Sequence, residues 1–362
     1  MEGYQYLSFE KMDAFCREVF RKLGMSEKDS AAIAEVLLES DLMGIESHGL
    51  QRLIMYYGGI QAGRINPKAQ IKVTRETPVS ALIDGDDGFG HVAGKTAMQM
   101  AIDKAKESGI GLVLVKNSTH YGIAGYYSMM AAKQGVLGMS MTNTEALVVP
   151  TFGKTPMVGT NPIAVTMPAK PYPFHVDMAT SVVPAGKMEV YNKKGLSVPE
   201  GWIVNSEGAV TTDPGEFIEI RKNKTDGGLL PLGGEGELHS GHKGYALGVI
   251  VELLTAVLSG GHTSNHVRAV PTIEKCCHMF LAVNYEIFGD KAEIEQGMST
   301  YMDELRSSNK AAGHDRIYTH GEKELSNYEN VRKNGVKVNR KTYEELIDIC
   351  QKIGADEAYY FG

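Results

Sequence analysis

Asp84-Gly85-Asp86-Asp87-Gly88-Phe89-Gly90-His91-Val92-Ala93-Gly94-Lys95-Thr96 decides the fold, because it nearly matches two nucleotide-binding motifs and satisfies neither. Gly88, Gly90 and Gly94 follow an apolar run and open a helical pattern, as in the dinucleotide fingerprint, but the last interval is one residue too long. That fingerprint also needs an acid about 20 residues on, at the end of the second strand, to hold a ribose. Here the next β-branched run, Leu112-Val113-Leu114-Val115, ends in Lys116-Asn117. Asp84, Asp86 and Asp87 would moreover repel a pyrophosphate placed at the helix start. A phosphate loop fails as well, since Gly90 and Gly94-Lys95-Thr96 enclose three residues where four are needed to aim the amides at one phosphate. The stretch reads as a structural turn into a helix, and the fold as α/β without a Rossmann site.

Working outward, residues 8–58 show helical periodicity, with Phe15, Val19, Phe20 and Leu23 on one stripe and Ile33, Val36, Leu37 and Leu42 on the next. From residue 70 short aliphatic runs dominate: Ile71–Val73, Ala81–Ile83, Gly111–Val115, Leu137–Met141 and Ile163–Val165. Helices are expected over His91–Ser108 and Ala124–Gln134, each stopped by glycine, and over Tyr245–Ser259, a strongly apolar segment expected to be buried. Amphipathic patterns return over residues 291–310 and 339–353. The expected organisation is a helical lobe from residues 1–72 completed by 290–362, around an α/β core of residues 73–289 that holds cofactor and substrate.

The 362 residues are 43% hydrophobic and 22% charged, enough to bury a sizeable core. A formal net charge of -7 argues against nucleic acid or an anionic membrane as partner, so any anionic ligand must be held by a few local cations. Cys16, Cys276, Cys277 and Cys350 show no C-x-x-C pairing, which fits a reducing compartment, and neither an export signal nor a membrane span is read. A cytoplasmic protein is expected. Neither H-E-x-x-H nor a Cys/His cluster occurs, so no metal site is expected.

Three segments concentrate the chemistry. In Ser47-His48-Gly49-Leu50-Gln51-Arg52, a helix would place His48, Arg52 and then Tyr56 on one face, so that a guanidinium grips a carboxylate while an imidazole handles an adjacent proton. Spacing alone leaves a solvated helix face equally open. Asn117-Ser118-Thr119-His120-Tyr121-Gly122 follows a strand and precedes a helix, a position where α/β proteins expose ligand-binding groups. Gly159-Thr160-Asn161-Pro162 and His175-Val176-Asp177-Met178-Ala179-Thr180-Ser181 flank apolar runs, and Gly241-His242-Lys243-Gly244 sets a lysine at a helix start suited to a phosphate.

These segments, with Gly63-Arg64-Ile65-Asn66-Pro67 and Pro231-Leu232-Gly233-Gly234, resemble in order the malate/L-lactate dehydrogenase superfamily with its sulfolactate-dehydrogenase-like fold, over residues 5–345. The resemblance implies a non-Rossmann mixed sheet flanked by helices, a homodimer, and hydride transfer between NAD, or alternatively NADP, and a small L-2-hydroxy acid, malate foremost. Lactate, sulfolactate, ureidoglycolate, diketogulonate or a cyclic imino acid are the alternative substrates. It further implies that His48 and His120 face the reacting carbon, one of them as acid/base, that Arg52 grips the carboxylate, and that Ser47, Tyr56, Met141 and Thr160 shape the pocket. Thr144, His175, Asp177, Met178, Ala179, Thr180, Lys243, Gly244, His320, Gly321 and Glu322 would line the dinucleotide. His175 and His320 depart from the family pattern and leave NAD against NADP open. From a different class, the phosphate-loop mimic keeps a nucleotide-binding switch without redox chemistry as a remote reading.

Overall fold

The computed structural model describes residues 4–270, 272 and 274–362. Its centre is a seven-stranded mixed sheet in the order Lys72–Glu76, Ser80–Asp84, Ile110–Ser118, Cys276–Val283, Leu137–Thr142, Ile163–Met167 and Phe174–Met178. Only Ser80–Asp84 and Ile110–Ser118 run parallel, joined through the helix Gly90–Ser108, and every other neighbouring pair is antiparallel. The near-fingerprint therefore sits in the one βαβ unit of the sheet, which explains its appearance. Its glycines serve packing: a Cβ on Gly94 would come within 2.7 Å of the Tyr127 ring, where two helices cross. Asp84 accepts from Asn117 Nδ2 at 2.8 Å, Asp86 from the Gln70 amide at 2.9 Å, and Asp87 pairs with Lys275 at 2.7 Å. The acids thus tie the turn together.

Helices Gly90–Ser108 and Ala124–Lys133 cover one face of the sheet, over a core that includes Ile83, Val113, Val115, Tyr127 and Phe280. The helix Gly241–Glu252, continued by a π turn over Leu253–Val257, lies on the other face, where Val251 meets Met141 and Met279. Its opposite side stays open. Val249, Ile250, Leu253, Val257 and Leu258 are 42–56% exposed, so the expectation of a buried helix is corrected: one side packs and one side faces solvent.

Near the N-terminus, Ser8 and Ser26 cap the helices Phe9–Lys22 and Glu27–Leu42 by accepting amides three residues on. The two expected stripes turn inward, Phe15, Val19, Phe20, Ile33, Val36, Leu37 and Leu42 being fully or almost fully buried. Val336, Leu346, Ile349 and Cys350 from the far end of the chain join the same cluster. Helix Lys291–Ser307 instead lies by the sheet margin, where Ser299 Oγ accepts the Lys170 amide at 2.9 Å. Residues 183–229 add a small three-stranded sheet with its own apolar cluster around Met188, Ile203, Phe217 and Leu229.

Candidate active site

One edge of the large sheet gathers the ends of Ile110–Ser118, Leu137–Thr142 and Phe174–Met178 and the starts of Ile163–Met167 and Cys276–Val283. A cavity of about 470 Å³ opens there, lined by Ser47, His48, Arg52, His120, Thr144, Thr160, Asp177, Met178 and Ala179 among the residues singled out in the sequence. Residues distant in the chain thus share one space.

His48 and Arg52 reach it from two short 3-10 turns, Glu46–His48 and Leu50–Arg52, broken at Gly49, and not from the continuous helix that their spacing suggests. The cause is local. The buried Asp41 carboxylate fills the place a Cβ on residue 49 would need, and it accepts the Leu50 amide at 2.9 Å. Burial pushes the Asp41 carboxyl up to about 8, although the Leu50 bond works the other way. With its folded value above the unfolded one of about 3.9, its contribution to stability is fully present below that value and lost as pH rises through about 8. Asp41→Asn keeps an acceptor for Leu50 but removes the titration, so its Tm is expected to fall less than that of the wild type between about pH 5 and about pH 8.5. The gap should be a few degrees, at roughly 1–2 °C per kcal/mol for a chain of this size. Parallel Tm curves in a thermal melt series would refute this role.

The two imidazoles stack with centroids 5.6 Å apart and planes 24° from parallel. Ser47 Oγ lies 2.9 Å from His48 Nδ1, and the Tyr56 hydroxyl 2.7 Å from His120 Nδ1. Each ring is therefore anchored through Nδ1 and leaves Nε2 for other work. Burial, and then the nearby Arg52 charge, holds His48 down to about 3, and burial followed by His48 and Arg52 holds His120 well below its ordinary value. Both rings are neutral at neutral pH. Arg52 donates from Nε to the Ser47 carbonyl at 2.5 Å, and among the described residues no carboxylate pairs with it. A Cβ on Gly186, at the start of the helix Ala185–Lys193, would stand 3.5 Å from Arg52 Nη2, so that helix N-terminus faces the same guanidinium.

The other sequence candidates lie around this cavity. Tyr56 is fully buried behind His120, and Met141 packs with Val251 and Met279 on the opposite face of the sheet, outside the cavity lining. Asp177 accepts the Gly125 amide at 2.7 Å, and burial raises its carboxyl to about 6 against that bond. His175 is buried, bonded to Thr166 at 2.8 Å, and its amide donates to the His320 carbonyl at 3.2 Å. Gly321 packs on it, while His320 is exposed beside Phe174. The Glu322 carboxylate is occupied by Thr319 and Arg316. Thr180 is buried and bonds Asn161, and Lys243 and Gly244 begin the helix whose Gly244 packs on the backbone of the cavity-lining Leu232. Sequence reasoning missed Glu145, Arg221, Arg268, Glu274 and Cys276 in the lining. They occur in charged or apolar stretches without a motif, so no local signal marks them.

Two stacked imidazoles and a guanidinium without a carboxylate partner among the described residues thus share one cavity of an α/β fold, where such groups can hold a small carboxylate and move a neighbouring proton. The malate/L-lactate dehydrogenase family model matches residues 7–347, and the chain belongs to that family. It is 47% identical to the malate dehydrogenase of Pyrococcus abyssi over 356 residues, covering 98% of this chain and 96% of that protein. It is 38% identical to the L-sulfolactate dehydrogenase of Methanocaldococcus jannaschii over 340 residues, with 93% and 94% covered. The solved malate dehydrogenase of Pyrococcus horikoshii superposes with a TM-score of 0.90 at 43% identity, covering 98% of this chain and 97% of that one. The sheet is thus the mixed, non-Rossmann type of these relatives.

Proposed function

We propose that the chain is a nicotinamide-dependent dehydrogenase that moves a hydride between C2 of a small L-2-hydroxy acid, L-malate foremost, and the nicotinamide ring. One observation carries this reading: Arg52, without a carboxylate partner among the described residues, stands beside the stacked His48 and His120 in a single cavity. Kinship to proteins named malate dehydrogenase supports the choice of malate.

The cavity's residues fit the cofactor. Ile45, Met55, Ile123 and Val183 offer apolar walls to a flat ring, and the Thr144 and Thr160 hydroxyls offer polar contacts. Asp177, its carboxyl raised to about 6 by burial, also lines the cavity. His175, Met178, Ala179, Thr180, Lys243, Gly244 and His320–Glu322, which surround the lining, are the residues proposed to hold the rest of the dinucleotide. NAD is the form inferred, with NADP as the alternative.

When bound, the nicotinamide takes or gives the hydride. In oxidation, Arg52 fixes the C1 carboxylate with its planar fork, and one imidazole of the stacked His48 and His120 pair accepts the C2 hydroxyl proton. The bound carboxylate also offsets the Arg52 charge that depresses both imidazoles, so substrate itself raises their basicity toward the working range.

The reading includes a homodimer, because the exposed apolar side of the helix from Gly241 to Leu258 offers a face that water disfavours. A cytoplasmic setting is supported by four cysteines that are all free and buried. The test is a panel of oxaloacetate, pyruvate, sulfopyruvate and a cyclic imino acid with NADH and NADPH, run beside sedimentation at micromolar protein. Oxaloacetate is expected to give the highest kcat/KM, from a dimer. Reduction of the imine alone would move the substrate, a monomer would remove the dimer, and magnesium-dependent ATP binding without turnover would favour the switch.

A further inference from the structure

Three guanidinium groups, Arg52, Arg221 and Arg268, line the cavity together with the carboxyl groups of Glu145, Asp177 and Glu274, and they differ in how firmly they are paired. Arg221 is committed: it donates to Glu145 at 2.5 and 3.1 Å and to Glu189 at 3.0 Å. Arg268 is held more loosely. Its Nη1 lies 3.5 Å from the Glu145 oxygen that Arg221 already occupies, and its Nη2 lies 3.2 Å from Glu274 Oε1, which also accepts the His120 amide at 3.1 Å. Both acids are shared, so much of the five-donor guanidinium fork remains unspent.

Position adds to this. Arg52 touches the Ser47 carbonyl next to His48, whereas Arg268 is linked through one Glu274 oxygen to the His120 backbone amide, so the two guanidinium groups reach the histidine pair through different partners. The backbone at Arg268 has φ 53°, a left-handed conformation that a long side chain adopts at a cost. Such cost persists where a side chain is aimed for a purpose, and here the side chain lines the cavity with 24% of its surface exposed.

We infer that Arg268 determines specificity by holding a second anionic group, carried on C3 of the substrate, while Arg52 holds the C1 carboxylate. The chemical class selected is a dianionic 2-hydroxy acid, with a C4 carboxylate or an equivalent sulfonate, over a monocarboxylate such as lactate. The assignment rests on the hydride-transfer reading above. Removing one partner of a partly buried charge pair costs enough to read in kcat/KM, on the order of 100-fold.

The test compares kcat/KM for oxaloacetate and pyruvate in the full-length enzyme with saturating cofactor, for wild type, Arg268→Gln and Arg268→Lys. Arg268→Gln is expected to lose about 100-fold on oxaloacetate and less than about 5-fold on pyruvate, with Arg268→Lys intermediate on oxaloacetate alone. Equal losses on both substrates would mean that Arg268 only steadies Glu274 and His120, and no loss on either would place the anion elsewhere; either result overturns the inference. Should Arg268→Gln fail to fold, Arg268→Lys decides, because it keeps the charge beside Glu274 but not the fork. A wild type that reduces neither substrate refutes the dehydrogenase reading itself, whereas one that reduces oxaloacetate with a ratio insensitive to Arg268 refutes this assignment alone.

Discussion

His120→Ala is expected to lower turnover of L-malate by at least about 100-fold, the usual scale of a lost general acid/base. KM should change much less, because the carboxylate anchor at Arg52 is untouched. The expectation follows from the way the ring is held: Nδ1 faces the Tyr56 hydroxyl at 2.7 Å and accepts the Gly122 amide at 3.3 Å, which fixes the imidazole in the cavity beside His48. His48→Ala should lose a similar factor, since its ring stacks on His120 within the same cavity and is anchored by Ser47. The pH profile separates a proton carrier from a prop. His120 sits well below its ordinary value in the empty site, so kcat/KM for malate oxidation should show no acidic limb near pH 6.5, the unperturbed imidazole value. Steady-state rates of both variants with malate and lactate check the claim, and near wild-type rates in the two together would sink it.

Much of this site was legible in the sequence because its parts sit at element ends, where punctuation is strong. His120 follows a β-branched run and Asp177 ends another, and both stand at one sheet edge, as strand-end groups in α/β proteins do. The failed glycine motif was informative for the same reason, since a wrong interval is countable. The central strand Cys276–Val283 is less legible: its Cys-Cys-His-Met-Phe run is buried on both faces and lacks the alternation that marks a strand. Yet that strand sits at the centre of the sheet, inserted antiparallel between Ile110–Ser118 and Leu137–Thr142. Helical spacing also misled at His48 and Arg52, because the Asp41 carboxylate, seven residues before His48, bends the backbone through a contact that periodicity cannot express. Arg268 and Glu274 were invisible for a related reason, since their role arises from pairing with His120 and Glu145, more than 120 residues away in the chain.

Arg52→Lys is expected to raise KM for L-malate by about 100-fold with a smaller fall in kcat, because an ammonium keeps the charge but cannot present two parallel donors. Arg52 is unusual among the cavity's arginines: Arg221 and Arg268 are each paired with glutamates, while Arg52 spends one donor on the Ser47 carbonyl and leaves its fork free. A half-buried guanidinium without a carboxylate partner is costly, and an incoming carboxylate relieves that cost, so the binding step should carry most of the effect. The Ser47 contact also links anchor and acid/base, since Ser47 bonds both Arg52 through its carbonyl and His48 through its hydroxyl. A lysine cannot hold that carbonyl and a carboxylate in the same geometry, which is why some loss of kcat is expected alongside the rise in KM. Initial-rate measurements across malate concentrations separate the two parameters. An unchanged KM would mean that the carboxylate is anchored by another cation, and Arg268 would then be the first to examine.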